Sequence, residues 1–458
     1  MPPHDLAINR RQILKSGAAA GAAATLVNVS AVLASAQGAT PSASPAAPGK
    51  ARNIIFMMGD GMGQAHRDFG QWVTVGGYEP LTMDTLPYIG LQGTNSVTPD
   101  ANALVTDSAA SATAFATGFK TFNGAIGVDP EGKPLTNLAE LAKAAGKSVG
   151  LVTTSQVTDA SPAAFAAHVD DRDKQSEIAK QFIADNKIDV ILGGGEDRWL
   201  PAGTPGAFPD NPPEDTEEAS GSDQGNLIEQ AQAQGYEYVH DAAGLAAARG
   251  PLLLGLFANE EMFQQRAEGE GDRYDPVVSL DQMTAKAIEI LSQNPNGFLL
   301  FVEEEAIDEF SHANNAKYTL KGVQELDKAV ATVLDWAREA DDTLVIVTAD
   351  HECGGLTLQS IGDEPVEGAD GPYTVAGSGY QFQAVWSTEG HTGVKVPLTA
   401  AGPGAETFVG VYENTHIFVK IAEAAGFPIP EGAGGTITPG VPASSATPAA
   451  TPAATPAR

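Results

Sequence analysis

The sequence predicts an α/β fold: a mainly parallel central sheet flanked by helices on both faces. Two observations predict it. Short, continuously apolar runs recur along the chain and alternate with helical stretches. Such runs suit strands buried on both faces of a parallel sheet. In addition, the polar residues Asp60, Asp159, Glu303, Asp350 and His351 stand just after or at the ends of these runs. In open α/β sheets ligands gather at the carboxyl ends of strands.

The chain begins with a segment that reads as an address, not as fold. N-R-R-Q-I-L-K at 9–15 is similar to the twin-arginine motif, an Ala/Gly run follows, and A-S-A at 34–36 supplies a cleavage site. Residues 1–36 are therefore expected to be an export signal. An uncleaved N-terminal anchor is the alternative. No apolar run reaches the ~18–20 residues of a spanning helix without Ser, Gly or Asn interrupting it, so no transmembrane segment is expected in the mature chain. The Pro/Ala/Ser stretch 37–50 is an expected disordered linker.

The body, 51–428, opens with a strand run at 53–58 that ends in G-D-G-M-G. Next comes T-D-S-A-A-S-A-T-A-F-A-T-G at 106–118, small residues throughout with an Asp-Ser pair in front. A serine at a helix start sits where unpaired N–H groups and the helix dipole favour negative charge. Ser108 is thus a candidate nucleophile; an Ala-rich packing helix capped by Asp107 or Ser108 is the alternative. Further strand runs follow at 147–154, 188–192, 252–257, 298–302, 344–348 and 394–398, with helical patterns at 135–145, 281–292 and 323–340. A Pro/Gly/acid-rich stretch at 201–225 reads as a surface excursion, part of an insertion near 196–250. The Pro/Ala/Thr-rich tail, 429–458, is low-complexity.

The formal charge is −32, from 26 basic and 58 acidic residues. That argues against a nucleic-acid-binding surface and against a polybasic membrane-surface protein. It also repels anionic substrates, so bound cations or a local arginine would have to reverse the field at a site for them. The single cysteine, Cys353, allows no intrachain disulfide.

Several residues carry chemistry in pattern. Asp350 and His351 can reach one centre only where their strand ends, because adjacent strand residues point to opposite faces. Asp308 and His312, at i and i+4, share one face if helical, as a carboxylate–imidazole metal pair requires. His391 lies in a glycine-flanked loop, E-G-H-T-G. Glu303 opens a run of glutamates at a strand end and suits a hard cation. Arg172, in D-D-R-D-K, is either a phosphate grip or a surface ion pair. His4, His66, His168, His240 and His416 are read as structural or solvated. Together the set is a kit for metal-assisted phosphoryl transfer.

In order, G-D-G-M-G, the 106–118 motif, D-A-S-P-A-A-F-A-A-H-V-D-D-R, V-E-x-x-x-I-D-x-x-x-H, T-A-D-H-E and E-G-H-T-G resemble the motifs of alkaline phosphatases over about 52–427. The resemblance implies a three-layer sandwich holding two Zn²⁺ and one Mg²⁺. It implies Ser108 as nucleophile, sharing one zinc with Asp60, Asp350 and His351. Asp308, His312 and His391 would hold the second zinc. Asp60 would bridge to the magnesium, bound also by Ser161 and Glu303, with Asp159 holding a magnesium-bound water. Arg172 would clamp phosphate. Many relatives carry glycine after the residue matching Glu303, and Lys, His or Trp after that matching Asp308. Here Glu304, Glu305 and Glu309 stand instead, so a more cation-hungry third site is expected, with Ca²⁺ as an alternative occupant.

The resulting expectation is an exported phosphomonoesterase that releases inorganic phosphate and an alcohol through a phosphoserine. A phosphodiesterase or sulfatase of the same superfamily and a non-catalytic metal- or phosphate-binding surface protein are the alternatives. Relatives are commonly dimers, so a homodimer is compatible with the resemblance.

Overall fold

A computed structural model describes residues 51–98, 104–212, 216, 218–266, 271–362, 366 and 368–435. The export signal, the linker and the tail beyond 435 lie outside the described residues. The strands are β1 (Asn53–Gly59), β2 (Tyr88–Gly93), β3 (Ser148–Gln156), β4 (Val190–Gly194), β5 (Glu237–Val239), β6 (Leu253–Leu256), β7 (Phe298–Glu304), β8 (Thr343–Thr348), β9 (Glu352–Cys353), β10 (Thr357–Ser360), β11 (Ala369–Thr374), β12 (Gln381–Val385), β13 (His391–Thr392), β14 (Val396–Ala401) and β15 (Gly410–Glu413).

A ten-stranded sheet runs in the order β15-β2-β14-β8-β1-β7-β3-β4-β6-β5. Its pairs are parallel except where β14 meets β2 and β8. The apolar runs foreseen in the sequence all lie in this sheet. Runs without alternation bury both faces, and the packing bears this out. On one face Ile54, Phe56, Leu299 and Phe301 pack with the Ala-rich helix Ser108–Thr117. On the other, Ile55, Met57, Leu300 and Val302 pack with residues of helices Leu280–Leu291 and Ala316–Ala337. Phe56 lies 5.4 Å from Phe115 and 5.3 Å from Phe165, ring centre to ring centre. The small side chains of 108–117 let that helix sit close to the sheet.

Several elements differ from the sequence expectation. The long helix begins at Ala316, not 323, because the Asn315 side chain accepts from the Tyr318 N–H and caps it. Three short strands of this sheet were not foreseen: β2 is interrupted by glycine, β5 has three residues, and β15 is largely exposed; nor were β9 to β13, which form two smaller sheets. The stretch 196–250 contains helices Leu227–Ala233 and Ala242–Ala247, and supplies β5 to the sheet edge. Among the described residues no helix is long and apolar enough to cross a membrane.

Candidate metal centre

Four neighbouring parallel strands, β8, β1, β7 and β3, bring their carboxyl ends to one place. Asp60 follows β1, Glu303 lies near the end of β7, Asp350 and His351 follow β8, and Asp159 and Ser161 follow β3. The turn after β1 needs glycine. Gly61 has φ +64°, and a Cβ there would stand 2.3 Å from Asp308 Oδ1. Its N–H donates to Asp350 Oδ1 at 3.1 Å.

His351 Nε2 is one focus of the site. Asp350 Oδ2 lies 3.0 Å away, Ser108 Oγ 3.2 Å and Asp60 Oδ1 3.5 Å. Ser108 begins its helix, but Asp107 caps it: the Asp107 carboxylate accepts from the Ala110 N–H at 2.9 Å. The Ser108 hydroxyl is therefore free of capping and points at the acid–imidazole cluster. Asp308 Oδ2 is the second focus, 3.0 Å from His312 Nε2 and 3.6 Å from His391 Nε2. The two imidazole nitrogens are 3.0 Å apart. The far ring nitrogens are held by backbone carbonyls, His312 Nδ1 by Glu389 and His391 Nδ1 by Thr106 at 2.9 Å. Such outer contacts aim the near nitrogens inward. Asp308 and His312 share one face of helix Ala306–His312, as their spacing requires.

The donor set fits cations. Asp60 Oδ1, Asp308 Oδ1, Asp350 Oδ2, Glu303 Oε1 and His351 Nδ1 are buried without a hydrogen-bond partner. Buried polar atoms left so are costly unless something pairs them. Oxygen and imidazole donors converging here suit zinc, and an all-oxygen corner suits magnesium or calcium.

Comparison with known proteins now decides the lineage. The alkaline phosphatase family profile matches residues 51–376 and 372–427. The chain belongs to the alkaline phosphatase family. It is 35% identical to the alkaline phosphatase of Escherichia coli K12 over 431 residues, covering 82% of this chain and 86% of that one. It is 33% identical to the streptomycin-6-phosphate phosphatase of Streptomyces griseus over 449 residues, covering 86% and 95%. The solved alkaline phosphatase of the Antarctic bacterium TAB5 superposes with a TM-score of 0.66 at 29% identity, covering 83% of this chain and all of that one; a variant of it carries magnesium in its M3 site. A twin-arginine signal profile matches residues 7–27. The protein is thus an alkaline phosphatase, a hydrolase of a metal-dependent family, exported by the twin-arginine pathway.

Within this alkaline phosphatase Asp60, Ser108 and Asp350 stand around the first focus and His312 and His391 around the second. Arg172 Nη2 donates to Asp159 Oδ1 at 2.9 Å, and Nη1 lies 3.7 Å from Asp107, the neighbour of Ser108. Those carboxylates hold the guanidinium firmly charged. Ser161 is fully buried beside Glu303, which also accepts from Thr153 Oγ1 at 2.6 Å. His66 and His168 are structural as expected. Burial pushes His66 down to about 4, keeping it neutral between Gly63 and Ser311. His168 bonds Glu140 at 2.9 Å.

Burial dominates the electrostatics, with neighbouring charge adding to it. Burial, then Asp350, Asp308 and Glu303, push Asp60 well above the ordinary carboxylate range. Burial does the same to Glu303 and to Glu305, with Asp159 adding to both. Burial also pushes Glu304 up to about 8, although Tyr274 and Thr154 hydrogen-bond it. Burial opposes the ionised form of Asp308 as well, but hydrogen bonds with His312 and His391 hold it well below that range. Sequence reasoning missed one member of the cluster: Cys353, whose sulfur lies among the donors of Asp308, His312 and His391. Its place two residues after His351 was the only signal.

Proposed function

We propose that this phosphatase hydrolyses phosphate monoesters through a phosphoserine on Ser108. The reading is carried by one observation: the Ser108 hydroxyl, at a helix start, lies 3.2 Å from His351 Nε2 within a converging set of acid and imidazole donors. One zinc would be held by Asp60, Asp350, His351 and Ser108, a second by Asp308, His312 and His391, and a magnesium by Asp60, Ser161 and Glu303 with Asp159 outside. When bound, such cations lower the pKa of a coordinated hydroxyl and offset phosphate charge. Ser108 Oγ attacks phosphorus and the alcohol leaves; water, in line with the Ser108 ester bond, then releases phosphate. Two in-line displacements give net retention at phosphorus.

Arg172 grips two phosphoryl oxygens with the N–H groups that Asp159 and Asp107 leave free. Arg172→Ala should raise KM about 10–100-fold, the worth of a lost charged hydrogen bond, with a smaller fall in kcat. Steady-state kinetics on p-nitrophenyl phosphate measure this. Equal KM in variant and parent would remove Arg172 from substrate binding. Ser108 with Arg172 also favours monoesters over diesters. Comparing p-nitrophenyl phosphate with its bis ester tests the reading, and faster bis-ester turnover would replace it with a diesterase. The Streptomyces griseus relative is named for streptomycin 6-phosphate, and small phosphorylated alcohols are the substrate class proposed here.

The third cation faces unusual acid. Asp159 adds to the upward push that burial gives the carboxyls of Glu303, Glu305 and Glu309, and Glu309 adds to that on Glu305. We expect this site to bind its cation avidly and to accept Ca²⁺. Glu309→Lys exchanges an anion for a cation beside it and should weaken third-ion binding by about tenfold or more. Titrations of activity and metal content with Mg²⁺ and Ca²⁺ check this; superimposable curves for variant and parent would refute it.

A further inference from the structure

The chain's single cysteine sits in the metal cluster, not beyond it. Cys353 is fully buried. It lies in β9, which pairs antiparallel with β13, and its register partner is His391. Directly opposite residues of an antiparallel pair present their side chains on the same face. The pairing therefore sets the Cys353 sulfur beside the His391 imidazole. A second backbone contact, from the Cys353 N–H to the Gly61 carbonyl at 3.0 Å, fixes the residue from the other side. Gly61 also clears the space: a Cβ there would meet Cys353 Cβ at 2.9 Å. As a result, one donor atom each from Asp308, His312, Cys353 and His391 lie within 4.8 Å of one another. Asp308 Oδ1, buried and without a hydrogen-bond partner, borders the same space at Gly61 as Cys353 Cβ. Zinc bonds of about 2.0–2.3 Å to oxygen, nitrogen and sulfur span such a group.

We propose that Cys353 Sγ is a fourth protein ligand of the zinc held by Asp308, His312 and His391. The inference rests on the two-zinc reading given above. Binding converts the thiol to a thiolate: the Zn–S bond forms, the S–H bond breaks, and the proton goes to solvent. A divalent ion at bonding distance favours the thiolate. Catalytic zinc sites can take a fifth ligand, which would leave room for substrate or water beside these four residues. The sulfur also sorts the ions. A thiolate favours zinc over magnesium or calcium, whereas the corner built from Asp60, Ser161 and Glu303 offers oxygen alone.

Zinc-edge X-ray absorption of the purified, zinc-loaded full chain tests this. A sulfur shell at about 2.3 Å, at one sulfur per two zinc ions, is expected in the parent and is lost in Cys353→Ser. That variant should also lose zinc to a chelator more readily than the roughly 10–100-fold that removal of an outer-shell partner costs. Full zinc occupancy with nitrogen and oxygen neighbours alone would overturn the inference and leave the two-zinc reading intact. A folded protein that takes up no zinc would overturn both. The parent spectrum decides by itself, so a variant that fails to fold does not compromise the test.

Discussion

Ser108→Ala should leave a folded protein whose phosphate release has fallen on the order of 10⁴-fold or more, the scale on which a covalent nucleophile's loss is felt. The position makes the test clean. Ser108 is 5% exposed and its hydroxyl bonds only toward His351. The helix is capped by Asp107, so removing the hydroxyl removes no cap. The neighbouring alanines also show that a methyl side chain suits this helix. Stability should therefore change by less than about 1 kcal/mol. The kinetics of p-nitrophenyl phosphate hydrolysis and a thermal melt, run on the same preparation, measure both halves. A variant within tenfold of the parent's kcat would remove Ser108 from the chemistry. One that melts far below it would reveal a structural role.

Stripping the cations should both abolish activity and lower Tm, and the Tm loss should grow with pH. Each ion present at a thousandfold over its Kd stabilises the fold by about 4 kcal/mol. The pH dependence follows from the buried acids. Asp60 and Glu303 are pushed well above the ordinary range, and Glu304 from 4.5 to about 8. A carboxyl with a raised folded-state pKa holds its proton when the unfolded chain has lost it. The metal-free fold then loses stability as pH rises through the window from about 4.5 to about 8 that Glu304 spans. Bound cations cancel that penalty. The gap between loaded and chelated Tm should accordingly be small near pH 5 and wide near pH 9. Calorimetry with and without a chelator across that range is the measurement. A gap that is absent or shrinks with rising pH would contradict a cation site built from these carboxylates.

Much of the centre was legible because its residues mark local events. Asp60, Glu303, Asp350 and His351 stand at the ends of apolar runs, and a strand's end is readable from where its hydrophobic residues stop. Asp308 and His312 carry their own geometry, four residues apart on a helix. Even Ser108 was visible as the polar start of a small-residue helix. The part played by Asp107 was less so. The sequence allowed either residue as the cap, and only the backbone at Asp107, extended at φ −97° and ψ 174°, assigns it. Arg172 was similarly open between surface pair and phosphate grip; in the fold it is held by Asp159 and Asp107, at the edge of the cluster.

By itself the sequence determined the layered α/β plan, the export address and most side chains of the centre. Each follows from a pattern within a few residues: apolar runs, helical spacing, small residues around a serine. Only the tertiary structure decided that β8, β1, β7 and β3 lie side by side, and that Cys353 faces His391 across β9 and β13. The reason is physical. Hydrophobic periodicity tells a segment to bury itself, but it does not name the partner. Partners hundreds of residues apart are selected when all the faces are packed together.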